Sequence, residues 1–349
     1  MIENLNILEL SNVLAGPAVG MFFSELGANV IKVENKLSGG DMTRKWKLPS
    51  EKSQNISAYF GAVNYGKKHV FLDFTNKDDR KTLESYIKNC DIIITNFKYG
   101  DAEKYKLSFE NCKSINPSVI YAHIGGFKSN PKRVAFDVVL QAETGFLSMT
   151  GTSSQTAKIP VALIDVLAAH QIKEGILLAL LKREKTKKAY EIKTTLEESA
   201  ISSLMNQSSN FLMANHVAQP MGTLHPNIAP YGDIIISKEG DKLVLAIGTD
   251  LQFDKFCSII EMEKNNSFIY NQSRVNNRLE LMELINKRTK NISTEALLSK
   301  CQLFNIPIGK IKSIDEVLQS KLAKNMILKE EVNGHETMRI KTNAFELSS

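Results

Sequence analysis

From Asn6 to Phe127 the chain alternates short, uniformly apolar stretches with helical patterns, a rhythm that few folds accommodate. "NILELS" (Asn6 to Ser11) runs into Gly16-Pro17 and the helix-forming "PAVGMFFSEL", which Gly27 ends before "NVIKVE" (Asn29 to Glu34) begins. Proline near a helix start and glycine just past its end punctuate a β-α-β unit. "KHVFLDF" (Lys68 to Phe74) follows, then a helix over Lys77 to Asn89 behind the capping candidates Thr75 and Asn76, then "DIIITNF" (Asp91 to Phe97) and "SVIYAHIGGF" (Ser118 to Phe127). Strands without polar alternation are buried on both faces, and helices between them make parallel crossovers. The fold class predicted is α/β, with a Rossmann-like large domain. Ligands of such sheets sit beyond the carboxyl ends of the strands, which places Asn12 to Gly16, Glu34 to Arg44, Asn96 to Gly100 and Gly125 to Lys128 around one crevice. After the first strand the chain reads "SNVLAGPAVG", without the G-x-G-x-x-G fingerprint, which argues against NAD or FAD.

Residues 136–215 are helical in pattern except for the strand candidate "YEIKTT" (Tyr190 to Thr195). "HVAQPMGTLHPNIAPYG" (His216 to Gly232), with Pro220, Pro226, Pro230, Gly222 and Gly232, reads as a linker. The division expected is a large domain over 1–215, a linker over 216–232 and a small α+β domain over 233–305, opened by the strands "DIIIS" and "KLVLAIG". Further on, Asn333-Gly334 between two short strand patterns predicts a hairpin.

The 349 residues are 43% hydrophobic and 23% charged, enough for a full core. No apolar run reaches the roughly 18 residues of a membrane span, and "MIENLNILEL" lacks the basic start and cleavage site of a signal peptide, so the expected location is cytoplasmic, away from membranes. Cys90, Cys112, Cys257 and Cys301 are far apart, with no histidines at ligand spacing, so neither zinc nor structural disulfides are expected. Lysine and arginine total 44 against 38 acids, scattered and not interleaved with aromatics, which argues against nucleic acid. That balance suits a small anionic ligand, or lysine-rich helix faces that merely solvate the protein.

One residue stands out. In "KIPVALIDVLAAHQIKEGILLALL" (Lys158 to Leu181) a single acid, Asp165, lies among aliphatic side chains. The helix pattern begins directly after it, so its carboxylate can cap that helix. A second reading puts it beside the crevice as a nucleophile, kept ionised by the helix dipole and stripped of water by apolar walls. The two are compatible.

The stretches "VLAGPAVGMFFSELGANVIKVE", "SGGDMTRKW", "NYGKKHVFLDF", "DIIITNF", "INPSVIYAHIGGF", "FDVVLQAETGFLSMTG" and "HPNIAPY", in that order, resemble successive signatures of the class III CoA-transferases, the CaiB/BaiF family. The resemblance implies a large domain completed by a C-terminal return over 306–349, an interlocked homodimer, and a nucleophilic aspartate at the position of Asp165. It implies an acyl-CoA:carboxylate CoA-transferase of acyl-CoA metabolism, taking an acyl-CoA and a small carboxylic acid as substrates through aspartyl anhydride and aspartyl-CoA thioester intermediates. CoA enters as a substrate thioester, with no tightly bound cofactor. By the same resemblance the CoA site uses Val13, Leu14 and Ala15, Lys36, Asn96 and Phe97, Lys104 and Arg133. Lysine and arginine suit the phosphates of CoA, and equally suit a solvated surface. Gly125 and Gly126 are candidate oxyanion donors. Asp137 is a candidate substrate contact or the N-cap of the helix after it.

Departures from the family patterns narrow the reading. The family's 2-methylacyl-CoA racemases carry a histidine where this chain has Phe136, and a phenyl ring exchanges no proton. His170, five residues beyond Asp165, lies about 140° round the helix and reads as structural. "GGDMTR" resembles formyl-CoA transferases, yet those have glutamine at the position of Leu14 and a glycine-rich lid in place of "GTLHPNIAPYG". The "HPNIAPY" form is more similar to members acting on succinyl-CoA. Racemisation and non-catalytic CoA binding are the alternatives.

Overall fold

A computed structural model describes residues 2–51, 56–263, 265–332 and 334–348. The chain forms two compact units, one running to Leu147 and comprising also Lys158–Ala218 and the segment from Lys321, the other Ser148–Ala157 with Gln219–Ser320.

The first unit is built on six parallel strands, β1 (Asn6–Leu10), β2 (Asn29–Asn35), β3 (Lys67–Leu72), β4 (Ile92–Thr95), β5 (Ile120–Gly125) and β6 (Tyr190–Thr195), in the order β3-β2-β1-β4-β5-β6. The order reverses between β1 and β4, so the switch point, where such sheets hold their ligands, lies beyond Leu10 and Thr95. The helices that concern the site are α1 (Ala15–Glu25), α2 (Lys77–Asn89), α3 (Asp137–Glu143), α4 (Leu163–Thr186) and α5 (Leu196–Ser202). Asn76 caps α2 by accepting from the N–H groups of Asp78 and Asp79, as its sequence predicts. On one sheet face Ile7, Val30, Ile92, Ile94 and Ile120 pack against Val19 and Phe23 of α1 and Ala168, Ile172 and Ile176 of α4. On the other, Leu8, Leu10, Val33 and Ile93 meet Leu83 and Ile87 of α2. Each of these valine, leucine, isoleucine and phenylalanine side chains, fully buried, contributes about 1.5–3 kcal/mol.

The α1 face of the sheet also holds charge. Glu9 of β1 and Lys32 of β2 are register partners and are wholly buried. The helix approaches closely over them because Gly16 and Gly20, one turn apart, have no side chain; a methyl group at Gly20 would overlap the Glu9 carboxylate. Gly20→Ala is therefore expected to lower stability by about 2 kcal/mol in urea unfolding, the usual overpacking range, although alanine is the better helix former. A neutral or stabilising result would show that α1 can lift away.

The second unit has a three-stranded antiparallel sheet, Tyr231–Ile236, Lys242–Ala246 and Ile308–Lys310. Ile235, Leu243, Leu245, Phe253, Phe256, Leu281 and Leu297 fill its core. Ile308–Lys310 completes this sheet, so the first unit resumes at Lys321 and not at residue 306 as the sequence suggested. Buried Arg274 donates to the carbonyls of Ala229, Phe268 and Ile269, tying the proline-bearing segment to its own unit. Near the C-terminus, Ile327–Val332 pairs antiparallel with His335–Ile340; Asn333, on which the hairpin expectation fell, lies outside the described residues. That segment binds the first unit: Thr342 and Asn343 donate backbone N–H groups to the Glu25 carboxylate at 2.9–3.1 Å, and Phe345 lies against Phe22. Among the described residues no helix is long and apolar enough to cross a membrane.

Candidate active site

The first turn of α4 begins at Leu163, behind Ala162, whose side chain has no capping group. Asp165 is the third residue of that turn. The expectation that the helix starts after Asp165 and is capped by it is thus corrected: its carboxylate accepts no hydrogen bond from any described residue. The cap comes from elsewhere in the chain. Asp137 Oδ1 accepts from the N–H groups of Ile164 at 2.7 Å and Asp165 at 3.4 Å. Its other oxygen accepts from Gln141 Nε2 at 2.6 Å, and Gln141 in turn accepts from the Ile159 N–H at 2.9 Å, fixing the approach to α4. Asp137 was expected to cap its own helix; it is instead the first residue of α3, with Phe136 at the N-cap, and it caps α4.

Asp165 is only 7% exposed, among Ile164, Ala168 and Ala169. Burial first, and the Asp137 charge second, push its pKa up to about 7. The burial that strips it of water, as the sequence suggested, also disfavours its charged form, and no described donor offsets that. Near neutrality such a group is part carboxylate and weakly solvated, a state in which it can attack a carbonyl carbon. Val134, Phe136, Val138 and Val161, from the segments that lead into and include α3 and α4, are exposed apolar side chains.

Tyr59 was not foreseen. It stacks edge-on against Trp46 at 5.1 Å between centroids, and its pKa is pushed up to about 12, by burial and then by the charges of Asp165, Asp137 and Asp41. Its hydroxyl stays protonated and can donate. Nothing local in "SAYFG" distinguishes Tyr59, since its neighbours come from three distant segments.

At the switch point the β1–α1 turn is held by side chains. Asn96 donates to the Asn12 carbonyl at 2.7 Å and accepts from the Asn12 N–H at 2.9 Å, so its amide braces backbone. Val13 has φ of 71°, a left-handed conformation that β-branched residues rarely adopt, and its N–H points at both oxygens of Asp41. Leu14 is the N-cap of α1 without a side-chain bond, and Ala15 enters the core. The other candidates are engaged locally. Phe97 lies 6.5 Å from the Tyr105 ring, and the exposed Lys104 ammonium sits 5.1 Å over that same ring. Lys36 is exposed on a single turn, Lys36–Ser38, after β2. Arg133 covers the Phe127 ring at 4.3 Å and pairs through both terminal nitrogens with Glu143. The Gly125-Gly126 pair at the end of β5 has a packing reason: a methyl on Gly126 would overlap Ala135, and the Gly126 carbonyl accepts from the Glu197 N–H. His170 is exposed. All four cysteines are buried thiols, and no group of metal-ligating side chains occurs among the described residues.

The family model described as CoA-transferase family III matches residues 2–349. A succinate–glutarate CoA-transferase of Agrobacterium fabrum is 32% identical over 90% of this chain and 81% of its own length. The human succinyl-CoA:glutarate CoA-transferase is 30% identical over 90% of this chain and 73% of its own. A crystal structure of a CaiB/BaiF family protein from Brucella suis superposes with a TM-score of 0.87 at 32% identity, covering 99% of this chain and 92% of that one. With its six-stranded parallel sheet and the whole length matched, the chain belongs to CoA-transferase family III, the CaiB/BaiF family of class III CoA-transferases.

Proposed function

We propose that the enzyme moves CoA from succinyl-CoA or a similar acyl-CoA to a small dicarboxylic acid, with Asp165 as nucleophile. The observation that carries this reading is the buried carboxylate of Asp165 at the head of α4, without a hydrogen-bond donor among the described residues, its pKa raised to about 7. In the first step an Asp165 oxygen attacks the acyl carbon and the C–S bond breaks, giving a mixed anhydride and CoA thiolate. The thiolate attacks the aspartyl carbonyl and releases the donor acid, leaving an aspartyl-CoA thioester. The acceptor carboxylate attacks that carbonyl and expels the thiolate, which then takes the acceptor's acyl group and frees Asp165. Exclusion of water keeps both intermediates from hydrolysis, and the burial of Asp165 suits that need. The Tyr59 hydroxyl is a donor available to the oxyanions, beside the Gly125-Gly126 backbone.

The donor and acceptor classes rest on relatives named for succinate, glutarate and mesaconate. The net charge of +6 is consistent with anionic substrates. CoA is assigned to the Val13–Ala15 turn, with Lys36, Asn96, Phe97, Lys104 and Arg133 around it. Asn96 serves that site through Asn12, and Arg133 must exchange Glu143 for a phosphate. Racemisation is disfavoured by Phe136, and a non-catalytic role by the acid at 165. The homodimer reading is supported by Phe211, Leu212 and Met213 on one helix and Leu178 and Leu181 on α4, all more than half exposed.

Mass spectrometry of the protein incubated with succinyl-CoA, with and without hydroxylamine, tests the chemistry. A CoA or hydroxamate adduct is expected on the peptide holding Asp165 and absent from Asp165→Ala. If free CoA binds but no acyl-CoA gives an adduct, the covalent mechanism fails.

A further inference from the structure

Four charged side chains form a buried chain beneath the β1–α1 turn. Lys67 Nζ donates to the carbonyls of Pro17 and Val63 and lies 2.7 Å from Glu9 Oε2, a contact of charges without hydrogen-bond alignment. Glu9 Oε1 accepts from Lys32 Nζ at 2.9 Å, and Lys32 reaches Asp41 Oδ2 at 3.1 Å and donates to the Ser11 carbonyl at 2.7 Å. Asp41 accepts from the Thr43 N–H and hydroxyl at 3.0 and 2.8 Å and from the Val13 N–H at 3.1 and 3.3 Å. Two acids balance two lysines, all wholly or almost wholly buried. A buried network of this kind gives little net stability, so its presence asks for a reason of conformation. The reason on view is at its end. Among the described residues, the only backbone N–H it grips outside regular structure and the Asp41 turn itself is that of Val13, held in a conformation that valine disfavours.

We propose that Asp41 is a positioning residue: its carboxylate, fixed by Lys32, locks Val13 in the left-handed conformation and so shapes the turn that receives the acyl-CoA. The proposal rests on the assignment of CoA to the Val13–Ala15 turn. Asp41 touches no substrate in it. Its charge also reaches Tyr59, which feels Asp165, so the clamp and the reacting carboxylate border the same region.

The test is a double-mutant cycle between Asp41→Asn and Val13→Gly, since glycine takes a positive φ without strain and needs no clamp. In the parent background Asp41→Asn is expected to raise the KM for succinyl-CoA and the Kd for free CoA by about tenfold, with kcat changed less. In the Val13→Gly background the same substitution is expected to change them by no more than about threefold. Equal losses in both backgrounds, or an unchanged KM in Asp41→Asn, overturn the proposal. Asp41→Asn leaves Lys32 short of a counterion; should it not fold, Asp41→Asn with Lys32→Met keeps the Glu9–Lys67 pair balanced and takes its place in the cycle. A parent protein that fails to bind free CoA in calorimetry sinks the CoA assignment instead. The clamp is then judged from melting temperatures, where Val13→Gly must relieve the loss caused by Asp41→Asn.

Discussion

At pH 8 the Asp165→Asn variant is expected to be more stable than the parent protein while losing transfer activity by roughly 10⁴-fold or more, the scale on which an enzyme loses its nucleophile. The stability gain follows from linkage. The folded protein holds Asp165 at a pKa of about 7 against an ordinary value of 3.8, so it binds a proton that the unfolded chain has already released. That contribution is fully present below about pH 4 and is lost as pH rises towards 7. Above pH 7 the native state carries an ionised, poorly solvated carboxylate at a cost on the order of 4 kcal/mol, which a neutral amide of the same shape avoids. Denaturant melts at pH 8 and pH 5 should therefore show an advantage of the Asp165→Asn variant over the parent that shrinks as pH falls. An advantage independent of pH would mean that Asp165 ionises without penalty, and the account of its reactivity would lose its physical basis.

Asp137 should give the second large effect, and two substitutions divide its roles. Asp137→Ala removes the cap from the first turn of α4, with an expected loss of about 1–2 kcal/mol in stability and, because the proposed nucleophile sits on that turn, of about 100-fold in kcat/KM. Asp137→Asn keeps an oxygen for the Ile164 N–H but removes the charge, at the expense of the Gln141 contact. Since the Asp137 charge helps raise the Asp165 pKa, both variants should shift the acid limb of the kcat/KM profile to lower pH. The Asp137→Asn variant should do so with the smaller loss of rate. An acid limb that stays in place in both would show that the charge does not reach Asp165. Equal losses of rate in the two variants would show that the cap is immaterial.

The sheet was legible in the sequence because burial on both faces leaves isoleucine and valine runs that little else produces. The burial of Asp165 was legible for a related reason, since a lone acid lay among aliphatic residues. What capped its helix was not, because Asp137 presents its oxygen to residues 27 and 28 positions further along the chain and local pattern assigned it to the nearer helix. Glu9 and Lys32 lie unremarked within the apolar runs "NILEL" and "NVIKVE"; only the register that sets them side by side makes them a buried pair. Gly20 offered a hint, a glycine mid-helix with no turn to serve, but its partner is on the sheet. Asn96 shows the converse, a residue that follows β4 at the switch point and whose amide is taken up in bracing the Asn12 backbone. The 306 boundary failed because Ile308–Lys310 is too brief to show periodicity and owes its place to pairing with Lys242–Ala246.

The first unit is closed by residues made after the second. Glu330 accepts from the Gly66 N–H at 3.0 Å, Thr342 and Asn343 bind the end of α1, and all of Gln219–Ser320 separates them from the sheet they complete. During biosynthesis the β1–α1 region cannot receive this strap until all of Gln219–Ser320 has been made. A stop codon within Gln219–Ser320 would leave α1 unstrapped and expose Phe22 to chaperones and proteases, even though Asp165 and the whole of α4 had already been synthesised.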